Sequence, residues 1–473
     1  MKRCLSHFLC AVLGATLLAP VAAQANPNRP DIVFIVVDDL NDWIGALGGH
    51  PDAQSPHIDR LAGEGMLFTQ AYCNSPQCRP SRTSFNHGVL PFKTGTYFNA
   101  RGRNETPITT PTIQEFFSQQ GYRVASGGKV HHNGPGNHGD SLFKRPSDPK
   151  PPPAEDNFDA LNPPNDGYAL DVTDSEMSDY KVASWAIKQW ETPSDRPLFM
   201  SVGFYRPHRP LQVPQPYFDI FPLESIKRPV EPAEDDWNDM PDFARRLART
   251  HAHKDMHEGG LSDHEYMVKY DQWDPTIQAY HASVAFVDKQ IGRFLDRLDE
   301  NPRGRETVIM LVSDHGWHLG EKKHWCKGAI WEQTTRIPFI VSAPGVKPDS
   351  VSSQPVSLID VYPSLVDLAG LPLPDFLDGT SIRPQLVNPH HPRNPVISSY
   401  GDGNTAIRTE RWRYIRYEDG SEELYDHHTD PNEWVNLANK KAYAETKQRL
   451  ARYIPRNQHP GLKVQSWYDK YGY

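Results

Sequence analysis

Short apolar runs alternate with amphipathic stretches along most of the chain. The run Asp31–Val37 is apolar and β-branched and stops at two aspartates, which predicts a central strand buried on both faces. Shorter runs of the same kind follow at Tyr122–Ala125, Leu198–Phe204, Thr307–Ser313 and Pro338–Ser342. Between them, apolar residues recur at helical spacing in 180–190 and 284–298. This alternation predicts an α/β fold with a mostly parallel central sheet flanked by helices.

The last quarter of the chain has a different pattern. After the Pro-rich boundary stretch Asn388–Asn394, short runs typical of antiparallel strands occur, followed by a helix at Tyr443–Tyr453. The predicted strands are Val396–Ser399, Thr405–Arg408, Arg413–Tyr417 and Glu423–Tyr425. We therefore expect a smaller C-terminal α+β domain at 391–473 after a large domain at 26–390. The stretches Asn133–Pro164 and Pro229–Asp263 are predicted to be surface excursions.

The first 25 residues differ in composition from the rest. A charged start, an apolar stretch and Ala23-Gln24-Ala25 are typical of a secretory signal peptide, so a periplasmic or secreted protein is expected. Its removal takes away Lys2 and Arg3 and no acid, which changes the formal net charge from -9 to -11. Such an acidic chain argues against nucleic-acid binding, and no later segment is apolar enough to predict a membrane span.

Three cysteines remain after the predicted cleavage, and an odd number cannot all pair. They are Cys73, Cys78 and Cys326. In an exported protein this leaves at least one cysteine with another task.

Acidic residues stand where two of the predicted strands end. Asp38-Asp39 follows the first strand and Asp314-His315 follows the Thr307–Ser313 strand. Ligands of open parallel sheets bind beyond the carboxyl ends of the strands, so these side chains are expected to meet. Clustered carboxylates repel one another, and a divalent cation is a physical reason to gather them.

The pentapeptide Cys78-Arg79-Pro80-Ser81-Arg82 resembles the formylglycine motif Cys-x-Pro-Ser-Arg of the sulfatase family. Other elements resemble that family in the same order along the chain, from about residue 30 to 440. They are Asp31–Leu40, Ser55–Phe68, Gly128–His132, Arg206–His208, Ser313–Trp317 with Lys327, and Leu424–Leu437. Within the family, His315 and the following Gly-Trp are similar to the iduronate-2-sulfatase branch. The resemblance implies an alkaline-phosphatase-like fold.

The resemblance also implies a cofactor and a set of catalytic groups. Cys78 would be oxidised to formylglycine (3-oxoalanine) by a maturation enzyme, and its hydrate has one hydroxyl to attack sulfur and a second to expel sulfate. One Ca²⁺ would be held by Asp38, Asp39, Asp314, His315 and residue 78. Arg82 and Lys129 would orient the formylglycine, and His208 and Lys327 would bind sulfate, one of them protonating the departing oxygen.

The identity of the base stays open at this point. Many sulfatases have Lys-x-His, which corresponds to His131, whereas the iduronate-2-sulfatase branch has Lys-x-x-His, which corresponds to His132 and is slightly favoured. One departure from the family pattern follows the cysteine motif. Asn86-His87-Gly88-Val89 stands where sulfatases usually have Leu-Thr-Gly-Arg, and only the glycine is shared.

The expected substrate is an acidic sulfated glycan. Trp317 is a candidate to stack on a sugar, and Arg101, Arg206 and His324 are candidates to meet its carboxylate or a second sulfate, although surface solvation is the more common fate of such residues. Two alternatives remain: a phosphonate monoester or phosphodiester hydrolase of the same superfamily, and a catalytically silent glycan-binding homologue.

Overall fold

A computed structural model of the protein describes residues 29–100, 105–150, 167–232, 236–249 and 261–464. The predicted signal peptide at 1–25 and the predicted substrate residue Arg101 lie outside these ranges.

An eight-stranded sheet forms the centre of the large domain, with the strand order β13-β2-β12-β9-β1-β7-β4-β5. Its middle strands β9, β1, β7 and β4 are parallel, while β12 runs antiparallel to both β9 and β2. The strands of the whole protein are β1 Ile32–Val37, β2 Met66–Phe68, β3 Ala71–Tyr72, β4 Arg123–Gly128, β5 Ser141–Phe143, β6 Tyr168–Leu170, β7 Leu198–Phe204, β8 Gln212–Pro214, β9 Val308–Ser313, β10 His318–Leu319, β11 Trp325–Cys326, β12 Phe339–Ser342, β13 Ser350–Ser352, β14 Val356–Ser357, β15 Val396–Ser399, β16 Thr405–Arg408, β17 Trp412–Arg416 and β18 Glu422–Asp426.

Helices cover both faces of this sheet, and β1 shows why its sequence is apolar throughout. Val33, Ile35 and Val37 belong to a core with α1, α5 and the long helix α9, while Ile32, Phe34 and Val36 belong to a second core with α4 and α11. The α-helices are α1 Pro56–Glu64, α2 Cys78–His87, α3 Pro91–Thr94, α4 Ile113–Gln119, α5 Ser178–Glu191, α6 Gln215–Phe218, α7 Asp242–Ala248, α8 Asp263–Lys269, α9 Trp273–Asp299, α10 Glu332–Thr335, α11 Val361–Leu368, α12 Arg383–Val387 and α13 Ala444–Ala451.

The C-terminal part contains a four-stranded antiparallel sheet in the order β15-β16-β17-β18. One face packs against α13, and the other shares a core with Phe92, Phe98 and helix α7 of the large domain. The predicted fold class is confirmed in both parts. The domain boundaries at 390 and 391 stay a prediction.

Two of the predicted surface excursions contain packed structure. Within Asn133–Pro164, β5 forms the edge of the central sheet. Within Pro229–Asp263, α7 buries Phe243, Ala244 and Leu247. The first stretch was predicted to be a loop because it is rich in Gly and Pro, and the second because it is charged. Neither property excludes a short strand or helix that packs against a neighbouring surface. Among the described residues, no helix combines the length and apolar character needed to cross a bilayer.

Candidate active site

Four neighbouring parallel strands deliver polar residues to one edge of the central sheet. Asp38-Asp39 follows β1, Asp314-His315 follows β9, Lys129 follows β4, and the segment with His208 follows β7. The backbone NH of Asp39 donates to Oδ1 of Asp314 (3.1 Å), which joins two of these strand ends directly. The two predicted acidic pairs therefore meet in space.

A left-handed backbone turn allows both adjacent aspartates to face this edge. Successive side chains of an extended strand point to opposite sides, which would separate Asp38 from Asp39. Asp39 has φ of 62°, and both carboxylates are fully buried. An oxygen of each lies within 4.8 Å of Cys78 Sγ and of a His208 ring nitrogen. Asp is one of the few non-glycine residues found often in this conformation.

Cys78 is the first residue of α2 and is fully buried. Its Sγ lies 3.0 Å from Nζ of Lys327, 3.3 Å from Nε2 of His315 and 3.8 Å from Oδ1 of Asp39. The amino end of a helix carries a partial positive charge. This position therefore favours an anionic or electron-rich group at residue 78.

Arg82 lies one turn after Cys78 and connects the two acidic pairs. Its Nε donates to Oδ2 of Asp314 (2.8 Å), and one terminal nitrogen donates to Oδ1 of Asp38 (2.9 Å). The other terminal nitrogen donates to the backbone carbonyls of Lys129 and Val130. A guanidinium is suited to this task because its donors point in fixed, divergent directions.

Close backbone contact between β4 and β7 places Lys129. A Cβ added to Gly203 would lie 2.1 Å from the carbonyl carbon of Lys129, and one added to Gly128, which has φ of 73°, would lie 2.0 Å from the carbonyl oxygen of Gly203. Only glycine fits at either position. The Lys129 ammonium consequently forms an ion pair with Asp38 and lies 3.9 Å from Cys78 Sγ.

The side chain of Lys327 approaches the same acids from the hairpin β10–β11. Lys327 follows β11, and its Nζ lies 2.8 and 3.1 Å from the two oxygens of Asp39. His208 Nε2 lies 3.8 Å from Oδ2 of Asp39 on the side of β7. His315 Nε2 lies 3.1 Å from Oδ1 of Asp39.

These charges shift the pKa values of the buried acids. Burial opposes ionisation of Asp38, but Lys129 and Arg82 outweigh it and hold the pKa of Asp38 well below its usual range. Burial raises the pKa of Asp39 to about 7, because Lys327 only partly offsets it and Cys78 and Asp38 add to it. Burial also opposes the thiolate of Cys78, yet Lys129 and Lys327 lower its pKa overall.

The donor set could hold a divalent cation, with an oxygen of the expected formylglycine in place of the Cys78 sulfur. Asp38, Asp314, His315 and Cys78 each offer a donor atom, and these atoms lie within 4.8 Å of one another. Asp39 has a raised pKa because the positive charge around it is insufficient. A cation among these oxygens would supply that charge, and calcium prefers such oxygen-rich surroundings.

The two histidines after Lys129 have different surroundings. Burial lowers the pKa of both to about 4. The charges that act on His132 belong to Lys129, Arg82 and Asp38, whereas His131 is influenced first by His87 and packs against Gly136. The Nδ1 of His132 is buried and has no hydrogen-bond partner. The charges of the cluster therefore act more strongly on His132 than on His131.

Three of the predicted substrate residues are buried supports. Arg206, Trp317 and His324 are 1%, 3% and 1% exposed. The guanidinium of Arg206 donates to Asp148 and to the carbonyls of Gln212 and His208. Trp317 lies under the Lys327 ammonium at 5.4 Å, and His324 Nδ1 contacts the carbonyl of Ala248 (3.0 Å). All three are largely enclosed by protein, and direct sugar contact stays a prediction.

Two residues that support the site, Ser81 and Asn86, were assigned no role from the sequence. Ser81 Oγ donates to the carbonyl of Asp314 (2.6 Å), and Asn86 Nδ2 donates to the carbonyls of Arg82 (2.8 Å) and Val130 (3.3 Å). Both fasten α2 to the strand ends. Asn86 stands in the stretch that departs from the family pattern, and that departure was the available signal. Cys73, Cys78 and Cys326 are all free thiols.

Comparison with known proteins identifies the family to which this arrangement belongs. The sulfatase family model matches residues 30–371. The chain belongs to the sulfatase family. A second model, N-sulphoglucosamine sulphohydrolase, C-terminal, matches 320–459. This membership confirms the resemblance predicted from the cysteine motif and makes the protein a sulfuric ester hydrolase.

Individual relatives support the same assignment. A sulfatase of Formosa agariphila is 34% identical over 92% of this chain and 88% of its own length. Human iduronate 2-sulfatase is 29% identical over 77% of this chain and 73% of its own. Among solved structures, phosphonate monoester hydrolase from Silicibacter pomeroyi has the same fold, with a TM-score of 0.75, 21% identity, and coverage of 90% of this chain and 94% of that one.

Proposed function

We propose that this sulfatase removes sulfate esters from an acidic sulfated glycan, using formylglycine formed from Cys78 and one calcium ion. The observation that carries the proposal is the position of Cys78 Sγ among the two acidic pairs and Lys327. Bound calcium would withdraw charge from the sulfate oxygens, and a formylglycine hydrate would supply a hydroxyl nucleophile and a second hydroxyl for sulfate release.

The residues around position 78 have separable tasks in this proposal. Asp38, Asp39 and Asp314, with His315 at their margin, would hold the cation. Arg82 and Lys129 fix the geometry, because Arg82 joins Asp38 to Asp314 and Lys129 pairs with Asp38 beside the Cys78 sulfur. Fixed cations that need no rearrangement during the reaction stabilise developing negative charge most effectively.

Three side chains near Cys78, those of His208, Lys327 and His132, would carry out proton transfer. His208 and Lys327 lie near Asp39 and are partly exposed, so they would bind sulfate and one would protonate the departing sugar oxygen. His132 would take the proton whose removal lets sulfate leave. Its lowered pKa keeps the imidazole unprotonated at neutral pH and hence able to accept a proton.

The substrate class is inferred from chemistry and from relatives. An acidic protein needs a local cationic pocket to accept a sulfated polymer, and Arg82, Lys129 and Lys327 would provide one once a bound cation offsets the carboxylates with which they pair. The iduronate 2-sulfatase relative supports a uronate-containing glycan. Periplasmic or secreted location and a maturation enzyme that oxidises Cys78 complete the proposal.

Hydrolysis of two aryl esters by purified protein from a host with a maturation enzyme tests the proposal. We expect 4-nitrophenyl sulfate to be hydrolysed faster than 4-nitrophenyl phenylphosphonate, and Cys78→Ser to abolish turnover. Intact-mass measurement should show Cys78 converted to the aldehyde. A strong preference for the phosphonate would favour the second hydrolase class, and an unmodified thiol in protein from its native host would favour the silent glycan-binding alternative.

A further inference from the structure

Tyr205 follows β7 and lies between two of the proposed catalytic groups. Its ring centroid is 4.7 Å from that of His208, with an angle of 35° between the planes. The Lys129 ammonium lies 5.1 Å from the same centroid, and the Arg145 guanidinium lies 3.7 Å from it. An electron-rich ring attracts such cations, so Tyr205 interacts both with Lys129 of the charged cluster and with Arg145.

The carbonyl oxygen of Arg209 accepts hydrogen bonds from both Tyr205 and His208. The Tyr205 hydroxyl donates to the carbonyl of Arg209 (2.8 Å), and Nδ1 of His208 lies 2.6 Å from the same oxygen. A carbonyl oxygen only accepts, so Nδ1 of His208 carries a proton and Nε2 is the nitrogen that gains or loses the second one, the proton a departing oxygen would take. That Nε2 is the atom nearest to Asp39, at 3.8 Å.

The backbone of Tyr205 is fixed independently of the charged cluster. Asp179, the second residue of α5, accepts the backbone NH of Tyr205 (2.9 Å) and that of Arg206 (2.8 Å). Tyr205 therefore has a fixed origin on the protein core and two contacts to His208, one through its ring and one through the shared carbonyl. A ring held in this way restricts rotation of the neighbouring imidazole.

We propose that Tyr205 is a positioning residue that holds the His208 imidazole with Nε2 directed to Asp39. The inference rests on the proposed role of His208 in sulfate binding and leaving-group protonation. The Tyr205 hydroxyl keeps the Arg209 carbonyl in place for Nδ1, and the ring prevents His208 from turning away. Tyr205 thereby acts through His208 and not on the sulfate ester itself.

Steady-state kinetics of Tyr205→Phe and Tyr205→Leu with two aryl sulfates test the inference. Phe keeps the ring and loses one hydrogen bond, so we expect kcat to fall about three- to tenfold. Leu also loses the ring contacts, and the expected fall is about 10- to 100-fold. The loss should be larger for 4-methoxyphenyl sulfate, whose leaving group needs a proton, than for 4-nitrophenyl sulfate.

Tyr180→Leu is the matched control. Tyr180 also has a guanidinium over its ring, that of Arg293 at 3.6 Å, but it lies on α5 away from the cluster. We expect its kcat to be unchanged. In a His208→Gln background, Tyr205→Leu should cause no further loss, because the two residues act as one unit.

Three results would overturn the inference: unchanged kcat in Tyr205→Phe and Tyr205→Leu, equal losses for both esters, or full multiplication of the Tyr205 and His208 effects. If the Leu variant does not fold, the Phe variant decides by the ratio of its losses on the two esters. Failure of the proposed function itself looks different, since the parent protein would then hydrolyse neither aryl sulfate.

Discussion

Replacement of Arg413 by methionine is expected to destabilise the contact between the C-terminal sheet and the large domain. Arg413 lies on β17 and is fully buried. Its guanidinium forms ion pairs with Glu332 on α10 and with Glu433, and one nitrogen donates to the carbonyl of Ile330 (2.9 Å). Methionine has a similar length but leaves these acceptors without their shared donor.

The size of the effect follows from burial. Removing one partner of a buried ion pair costs about 3–5 kcal/mol, because the opposite charge stays in the interior. The lost hydrogen bond to the Ile330 carbonyl adds about 1 kcal/mol. Arg408 still contacts Glu332 (3.2 Å) and His427 still contacts Glu433 (3.0 Å), so the lower half of the range is expected. Typical domains are stable by only about 5–15 kcal/mol.

Urea unfolding followed by tryptophan fluorescence measures this change. Arg411→Met is the control, since Arg411 stands two positions away and pairs with Asp426 (2.6 Å) while 47% of its side chain is exposed. We expect little change in the control. Adding Glu433→Gln to Arg413→Met should restore part of the stability, because the buried Glu433 carboxylate that lost its guanidinium is then gone, while Glu332 keeps Arg408. Equal effects of Arg413→Met and Arg411→Met would refute the reasoning.

Three further predictions concern the site and its support. His132→Asn should lower kcat at least about 100-fold while His131→Asn stays within about threefold, and equal losses would contradict the assignment of the base. Dialysis against EGTA should lower aryl sulfatase activity and the thermal midpoint, and Ca²⁺ should restore both better than Mg²⁺; indifference to the chelator would count against the cation. Asp288 accepts backbone NH groups at the start of α1, and burial raises its pKa from 3.8 to about 7. Its folded-state pKa is raised, so its stabilising contribution is complete below pH 3.8 and is lost as pH rises through about 7. Asp288→Asn should therefore gain stability relative to the parent between pH 5 and pH 8 in urea unfolding, and a constant difference across that range would disprove it.

The buried strands were predictable because burial on both faces leaves a direct mark on sequence. β7 and β15 have the predicted bounds, and β1 and β9 differ by one residue at the start. The short strands β2 and β13 on one side of the sheet were not predictable from periodicity. Three residues contain too few alternations for a pattern, and their conformation depends on pairing, of β2 with β12 and of β13 with β2.

The chemical groups of the site were predictable for a different reason. Rare residue types stand at strand ends, and the family resemblance assigned their roles. The sequence did not distinguish residues that support the site by packing inside the protein, and the buried Arg206 is an example. An arginine that braces a loop from inside and one that awaits a carboxylate look alike in sequence. Tyr205 was missed because its partners, Asp179 and His208, are defined only by the folded chain.

The adjacency of β9, β1, β7 and β4 has a consequence for the order of events during folding. These neighbours span the chain from Ile32 to Ser313, and Lys327 comes later still. The site residues from Asp38 to Lys327 therefore cover most of the described chain, and a growing chain has no complete site until more than 320 residues have been made. Pairings between such distant segments form slowly. The site is therefore complete only after the central strands have paired, which is late in the synthesis of the chain.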